Sequence, residues 1–338
     1  MAIKNNIPHV AIKCLVYNHE PYLRDCLEGF VMQQTNFPFV AIVHDDASTD
    51  NSAAIIREYE EKYPDIIKPI YETENQYSKH DGSLGRIMNA AIDATGAKYV
   101  AMCEGDDYWT DPLKLQKQVD FMEANPEYGL CYTDYDLYNG DGEVIRESNF
   151  VKSGEKVILT FEEHLFYKGY IAPMTWLYRK EVYDSFKDKM LKGVIDGTYV
   201  VALEFFYNSK VAFLPITTAV HITHQGSVSK PQSLAGMFKY KKGVYDIEIE
   251  YAKRYTNNQW YISFIRHQEV QELYPLAVKL HNMDYIRWCH EIDREDSLIQ
   301  LFIPQRIINL QSSRAYRLGK FILKPFSWLQ NVLKYNKR

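Results

Sequence analysis

At 338 residues with 46% hydrophobic content, the chain is long enough for one large domain plus an appendage, and it has the material for a real core. Its net charge of −5 argues against a nucleic-acid partner, because an acidic body repels phosphate backbones. The five cysteines (Cys14, Cys26, Cys103, Cys131, Cys289) show neither CxxC pairs nor zinc spacing, Met1 to Pro8 lacks an apolar leader, and no run reaches about 18 apolar residues, so a cytoplasmic protein with reduced thiols is expected.

His9 to Val16 reads as a strand, Pro21 to Gln33 has helical spacing of apolar residues, and Phe39 to His44 reads as a second strand. Asn51 to Lys62 is a predicted helix with Asp50 as N-cap, Ile66 to Tyr71 a third strand, Ser83 to Ala94 a helix and Lys98 to Cys103 a fourth strand. Strands alternating with helices of about 10 to 15 residues imply right-handed crossovers and a mostly parallel sheet. The pattern then predicts a helix at Pro112 to Ala124, a strand at Leu130 to Asn139, and a Gly140-Asp141-Gly142 turn into Glu143 to Ser148 that makes a hairpin. A helix at Thr160 to Tyr167, a strand at Met174 to Tyr178, a helix at Asp196 to Tyr207 and a strand at Val211 to Leu214 follow. From Leu234 the reading is helical, interrupted near Pro304 and Pro325. The expected class is α/β: an open, mixed, mostly parallel sheet flanked by helices over residues 1–230, with a helical extension over 231–338.

Residues 297–338 contain no Asp or Glu but eight basic side chains, interleaved with apolar ones such as Phe302, Phe321, Phe326 and Trp328. Such a tail suits peripheral contact with an anionic membrane, at its inner face for a cytoplasmic protein. It suits equally a helix packed on its own domain with the basic side in water.

Glu104-Gly105-Asp106-Asp107-Tyr108 follows directly on the apolar run Tyr99 to Cys103. Open α/β sheets bind ligands at the carboxyl ends of their strands, where Asp106 and Asp107 would stand. Adjacent carboxylates repel unless a cation or hydrogen-bond donors compensate, and Mg²⁺ or Mn²⁺ takes one or two protein carboxylates plus substrate phosphates. A solvated turn capping the helix near Pro112 is the other reading. The first strand runs out at Tyr17-Asn18-His19 and the second at Asp45 to Asp50, on the same edge. Tyr17 offers a stacking face to a nucleotide base, and Asp45 or Asp46 an acceptor for its imino N–H. Taken singly, these are equally a core tyrosine and a helix-capping loop.

In combination, Val16-Tyr17-Asn18, His44-Asp45-Asp46-Ala47-Ser48-Thr49-Asp50 and Glu104-Gly105-Asp106-Asp107-Tyr108-Trp109 resemble the motif series of family 2 glycosyltransferases. That resemblance implies a GT-A fold, a nucleotide-sugar donor, Mn²⁺ or Mg²⁺ at a DxD-like motif, and inversion at the anomeric carbon. It implies Tyr17 stacked near the base, Asp46 hydrogen-bonded to it, Asp106 facing the ribose and Asp107 holding the metal on the diphosphate. Asp196, opening a predicted helix, matches the family's catalytic base; a plain N-cap is its other reading and Glu204 the fallback. His221-Ile222-Thr223-His224 resembles a Tyr-Arg-x-His loop in which His224 is retained, toward the metal or the diphosphate. With Ile222 in place of arginine, Arg86 is the nearest replacement cation. Phe166, Tyr167, Tyr170 and Trp176 provide either an acceptor platform or core.

The implied partners are a nucleotide-sugar donor, with uridine the family expectation, and a glycan or lipid-linked acceptor in cell-surface polysaccharide synthesis. A sugar-nucleotide pyrophosphorylase needs a Gly-rich phosphate loop, which Val16-Tyr17-Asn18-His19-Glu20 lacks. A non-catalytic nucleotide-sugar or glycan-binding protein at a membrane surface remains the alternative from another class.

Overall fold

β1 (Val10–Val16) is almost wholly buried along its length. A strand apolar on both faces belongs in the middle of a parallel sheet covered by helices. After it come α1 (Leu23–Val31), β2 (Phe39–Asp45), α2 (Ser52–Lys62), β3 (Ile67–Tyr71), α3 (Ser83–Thr95) and β4 (Tyr99–Met102). β2 and β4 flank β1 in parallel, and β3 lies beyond β2. The computed structural model describes residues 7–167, 171–224, 231–256 and 258–295, which fall into two units, Met1–Ser233 and Leu234–Arg338.

The first unit continues with β5 (Tyr108–Trp109), α4 (Lys114–Ala124), β6 (Tyr128–Asn139), β7 (Val144–Arg146), α5 (Phe161–Tyr167), β8 (Leu177–Arg179), α6 (Lys180–Phe186), α7 (Gly197–Asn208) and β9 (Lys210–Thr223). The sheet order is β3-β2-β1-β4-β8-β6-β9-β5, with β7 on β6. β8 runs antiparallel to both β4 and β6, and β6 and β9 are parallel, so the sheet is mixed as expected. Three features escape the sequence pattern. β5 has two residues and no periodicity to read. α6 follows β8 without a break. β9 runs on past Leu214 to Thr223, so His221, expected in a loop, is in a strand.

Register decides what the sheet edge presents. Val10 pairs with Phe39 and Tyr99, so Val16 faces Asp45 at the carboxyl end, and the Asp46 N–H donates to the Val16 carbonyl at 2.9 Å. Gly96, in the left-handed region at φ +70°, ends α3 and turns the chain into β4. α1 buries Leu23, Cys26, Leu27 and Phe30, an i, i+3, i+4, i+7 stripe. Its Gly29 lets the helix approach β5 closely, since a Cβ there would lie 2.9 Å from the Trp109 nitrogen.

Two buried cations tie the layers together. Arg179 donates to the Tyr99 hydroxyl at 2.8 Å and to the carbonyls of Tyr128, at 2.9 Å, and Met122, joining β8, β4, β6 and α4. Lys114 lies over the Trp109 ring, 4.4 Å from its centroid, and donates to Gln118 at 2.6 Å; burial pulls its pKa down to about 8. The second unit contains α8 (Leu234–Tyr255), α9 (Gln259–Lys279) and α10 (Met283–Glu295). α8 buries Tyr245, Ile249 and Tyr251, α9 buries Ile262, Ile265 and Leu273, and the Tyr245 hydroxyl donates to Glu272 at 2.8 Å. The expected breaks at Pro304 and Pro325 and the basic tail lie outside the described residues.

Candidate functional site

The ends of β1 and β2 are laced together by the residues that follow them. Asn18 accepts from the Thr49 N–H at 2.7 Å and donates its own N–H to the Ser48 hydroxyl at 3.0 Å. Ser52 accepts from the His19 N–H and Asp50 from the Glu20 N–H, each at 3.0 Å. Asn18 and Ala47 both hold positive φ, 56° and 61°, a local cost that this lacing sustains. Ser48, Thr49 and Asp50 are therefore the fastening between two strand ends. Tyr17 and Asp46 project from the fastened edge.

Tyr17 is 45% exposed, which suits a stacking face and not a core ring. Asp46 is buried, and its two oxygens accept the N–H groups of Gln76, at 2.6 Å, and Tyr77, at 2.9 Å. Asp46 thus anchors the segment after β3 that carries Tyr77, a ring 47% exposed. Burial, with the charges of Asp196 and Glu104 nearby, raises the Tyr77 pKa. No periodicity marks that segment in the sequence, and Tyr77 was not among the expected site residues.

The acid loop leaves β4 but keeps following β1: the Gly105 N–H donates to the Leu15 carbonyl at 2.9 Å. A Cβ on Gly105 would lie 2.8 Å from His19 Nδ1 and 2.9 Å from Val16 Cγ2, so only glycine passes here. The thiols of Cys26 and Cys103 reach the loop's carbonyls, Glu104 at 3.5 Å and Asp107 at 3.5 Å. The loop then enters β5, which pairs with Ala219 and Val220 of β9.

The two aspartates have different surroundings. Asp107 is buried; its Oδ1 accepts the Ile222 N–H at 2.9 Å and lies 3.0 Å from His221 Nδ1. Burial raises its pKa against the opposing pull of His221. Asp106 has Oδ2 at 3.0 Å from His224 Nε2 and 3.9 Å from His19 Nε2, while its buried Oδ1 has no hydrogen-bond partner among the described residues. Burial opposes its ionisation, but the His224 bond and the two histidines outweigh it and hold the carboxyl below its ordinary value. Glu104 feels the charge of Lys13 as well as that of the neighbouring acids. Burial first, then Asp106 and Asp107, push its pKa up to about 8.

Asp196 caps α7, accepting the Tyr199 N–H at 2.8 Å, and its charge is felt by both Glu104 and Tyr77. N-cap and cleft residue are therefore compatible descriptions of it. Glu204 is fully buried within α7, with its carboxylate accepting from Asn208, which gives it a structural place. Arg86 is 67% exposed, and its guanidinium is engaged with the Asp81 carbonyl at 2.8 Å. Trp176 is 1% exposed with its indole N–H on the Ile171 carbonyl, so it is core and no acceptor platform. Tyr170 lies outside the described residues.

Among the described residues, no three His, Cys, Asp or Glu side chains form a metal cage by themselves. The donor set still fits a hard divalent cation that shares its shell with substrate phosphates, because Asp106 offers an unpaired buried oxygen and the neighbouring Glu104 feels the repelling charges of Asp106, Asp107 and Asp196.

The family model "Glycosyl transferase family 2" matches residues 14–186, more than half of the chain. The chain belongs to glycosyl transferase family 2. Among curated relatives, this family 2 chain is 34% identical to an uncharacterised protein of Mycobacterium tuberculosis over 64% of its own length and 59% of the relative's. It is 30% identical to the putative teichuronic acid biosynthesis glycosyltransferase TuaG of Bacillus subtilis, over 47% of its length and 57% of TuaG. It thus spans less than two thirds of either relative. Among solved structures, S. aureus TarS in complex with UDP-GlcNAc aligns with a TM-score of 0.56 at 17% identity, covering 77% of this chain and 71% of that one. That likeness concerns the fold, which is of the GT-A type.

Proposed function

We propose that this chain moves a sugar from a nucleoside-diphosphate donor, with uridine the favoured base, onto a hydroxyl of a glycan or lipid-linked acceptor in cell-surface polysaccharide synthesis. The observation that carries the reading is the meeting of Tyr17, Asp46 and Asp106 on one sheet edge of a family 2 chain, with Asp196 close enough to act on Glu104. The UDP-GlcNAc bound by TarS supports the choice of uridine, and the name of TuaG supports a polysaccharide product.

In this reading Tyr17 stacks on the base and Asp46 accepts its imino N–H while keeping the Tyr77 segment in place. We take Asp106 over Asp107 as holder of the cation because its buried Oδ1 lacks a partner among the described residues while its Oδ2 is steadied by His224; in Asp107 the contacts with Ile222 and His221 both fall on Oδ1. Glu104, nearest the strand ends, is then the acid left to meet the ribose. When bound, Mn²⁺ or Mg²⁺ supplies Lewis-acid stabilisation of the departing diphosphate. Asp196 takes the acceptor proton, and the hydroxyl attacks the anomeric carbon from the face opposite the leaving group, inverting it. Arg86 must leave Asp81 to assist. No helix among the described residues is long and apolar enough to cross a membrane, and peripheral contact through the basic tail belongs to this proposal.

Purified protein incubated with a panel of UDP-sugars, with and without Mn²⁺, tests the reading through release of free UDP. Metal-dependent release that acceptor glycans accelerate is expected, with loss in Asp106→Asn and Asp196→Asn. Tight donor binding with no release under any condition points to the non-catalytic binding protein instead.

A further inference from the structure

The His224 ring is held on one face and at one edge. It stacks on Tyr22, with centroids 5.1 Å and planes 29° apart, while Nε2 stands 3.0 Å from Asp106 Oδ2. The turn between β6 and β7 closes on the same pair: a Cβ on Gly140 would lie 3.2 Å from the Tyr22 hydroxyl and 3.3 Å from His224 Cβ. Gly142 in that turn has a φ of +81°, but Gly140 has no left-handed conformation to explain it. A side chain there would be tight against both Tyr22 and His224, so the neighbours would have to give by a few tenths of an ångström.

Tyr22 and the turn at Gly140 are each held by further hydrogen bonds. Tyr22 precedes α1, with its N–H on the His19 carbonyl at 2.9 Å and its own carbonyl accepting from Cys26 at 3.3 Å. The turn is braced by Asn139 Oδ1, which accepts the N–H groups of Asp141, at 3.0 Å, and Glu143, at 2.8 Å. Asp106 and Asp141 both bear on the Tyr22 hydroxyl and, after burial, raise its pKa. The phenol is thus within the field of the acid site and of the turn at once.

We propose that Tyr22 is a positioning residue for the diphosphate end of the donor site. Its ring, backed by the close approach at Gly140, fixes the plane of His224 so that Nε2 holds Asp106 Oδ2 and leaves Oδ1 to the cation. The inference rests on the glycosyl-transfer reading above. A free imidazole rotates about its terminal side-chain bond in a broad two-fold well, and a flip exchanges Nε2 for a carbon. A stacked neighbour confines the ring to one plane, and within that plane the contact of Nε2 with Asp106 selects one of the two flips. Partners that orient metal-binding groups from behind typically change metal affinity by about 10- to 100-fold when lost.

The test compares wild type, Tyr22→Leu, Tyr22→Phe and Gly140→Ala. Mn²⁺ binding in the presence of UDP is followed by electron paramagnetic resonance, and uridine binding by calorimetry. Tyr22→Leu is expected to weaken Mn²⁺ about tenfold while uridine affinity holds, because uridine lacks the diphosphate. Tyr22→Phe keeps the stack and restores Mn²⁺ affinity. Gly140→Ala, which crowds Tyr22 and His224 by a few tenths of an ångström, falls between. Wild-type Mn²⁺ affinity in Tyr22→Leu overturns the proposal, as does an equal loss of uridine binding, which marks a general structural role. Should Tyr22→Leu not fold, unchanged Mn²⁺ affinity in Gly140→Ala overturns it. Wild type that binds no Mn²⁺ with UDP defeats the donor reading itself, a different result from any of these.

Discussion

Asp107 accepts the backbone N–H of Ile222 at 2.9 Å, and through that bond the acid loop after β4 is fastened to the end of β9. Asp107→Ala leaves a buried N–H unpaired, at a cost of about 1–3 kcal/mol by chemical denaturation. Asp107→Asn keeps an acceptor oxygen and is expected to bind Mn²⁺ with UDP within a few-fold of wild type, roughly half a kcal/mol. Asp106→Asn is expected to lose at least about tenfold. The reverse ranking returns the metal to Asp107.

Gly105 passes within contact of His19 and Val16, so Gly105→Ala has no room. Overpacking of this kind costs about 1–3 kcal/mol. A lowered denaturation midpoint with reduced UDP affinity is the expected outcome, and a wild-type midpoint contradicts the close approach.

Asp196 serves α7 as its cap and, in the proposed reaction, the acceptor as its base. The two roles separate on substitution. Asp196→Ser retains a good cap and loses the base, so transfer falls while stability holds within about 0.5 kcal/mol; Asp196→Ala also loses about 0.5–2 kcal/mol of stability. Substantial turnover in the serine variant moves the base elsewhere.

Asp46 holds the amides of Gln76 and Tyr77 directly. In Asp46→Ala these two amides are expected to exchange with solvent deuterium at least about tenfold faster, alongside the loss of uridine affinity, since a hydrogen bond to a charged acceptor contributes about 1.5–3 kcal/mol. Unaltered exchange at both positions removes the anchoring role.

Glu104 supplies a pH signature. Its folded pKa of about 8 lies above the ordinary 4.5, so between those values the native state binds a proton that the unfolded chain does not. Stability therefore falls as pH rises through that window. The thermal midpoint of metal-free protein is expected to decline from pH 5 to 8, and Glu104→Gln to decline less steeply. Equal slopes in the two proteins contradict the assignment.

Much of the α/β frame was legible because buried parallel strands must be apolar on both faces and their helices amphipathic. β1, β2, β4 and α1 to α3 all carry that pattern in sequence, within a residue or two of their ends. The motif residues Tyr17, Asp46, Asp106 and Asp107 could likewise be named, since each ends or follows an apolar strand. β5 and α6 were not legible, being too short or too continuous with a neighbour to show a period. The last part of β9 was missed because its partners, on β6 and β5, are far away in sequence.

The sequence by itself determined the strand-helix alternation, the family, and the set of acids at the sheet edge, all properties of local residue order. Only the tertiary structure decided how those acids differ. Asp106 and Asp107 are neighbours with the same side chain, and nothing local distinguishes them. One meets His224 through Oδ2 and keeps a buried, unpaired Oδ1, while the other meets both Ile222 and His221 through Oδ1. Those partners come from more than a hundred residues away, brought in by the pairing of β5 with β9. A carboxylate's charge and availability depend on its surroundings, and for this pair the surroundings are set by the sheet.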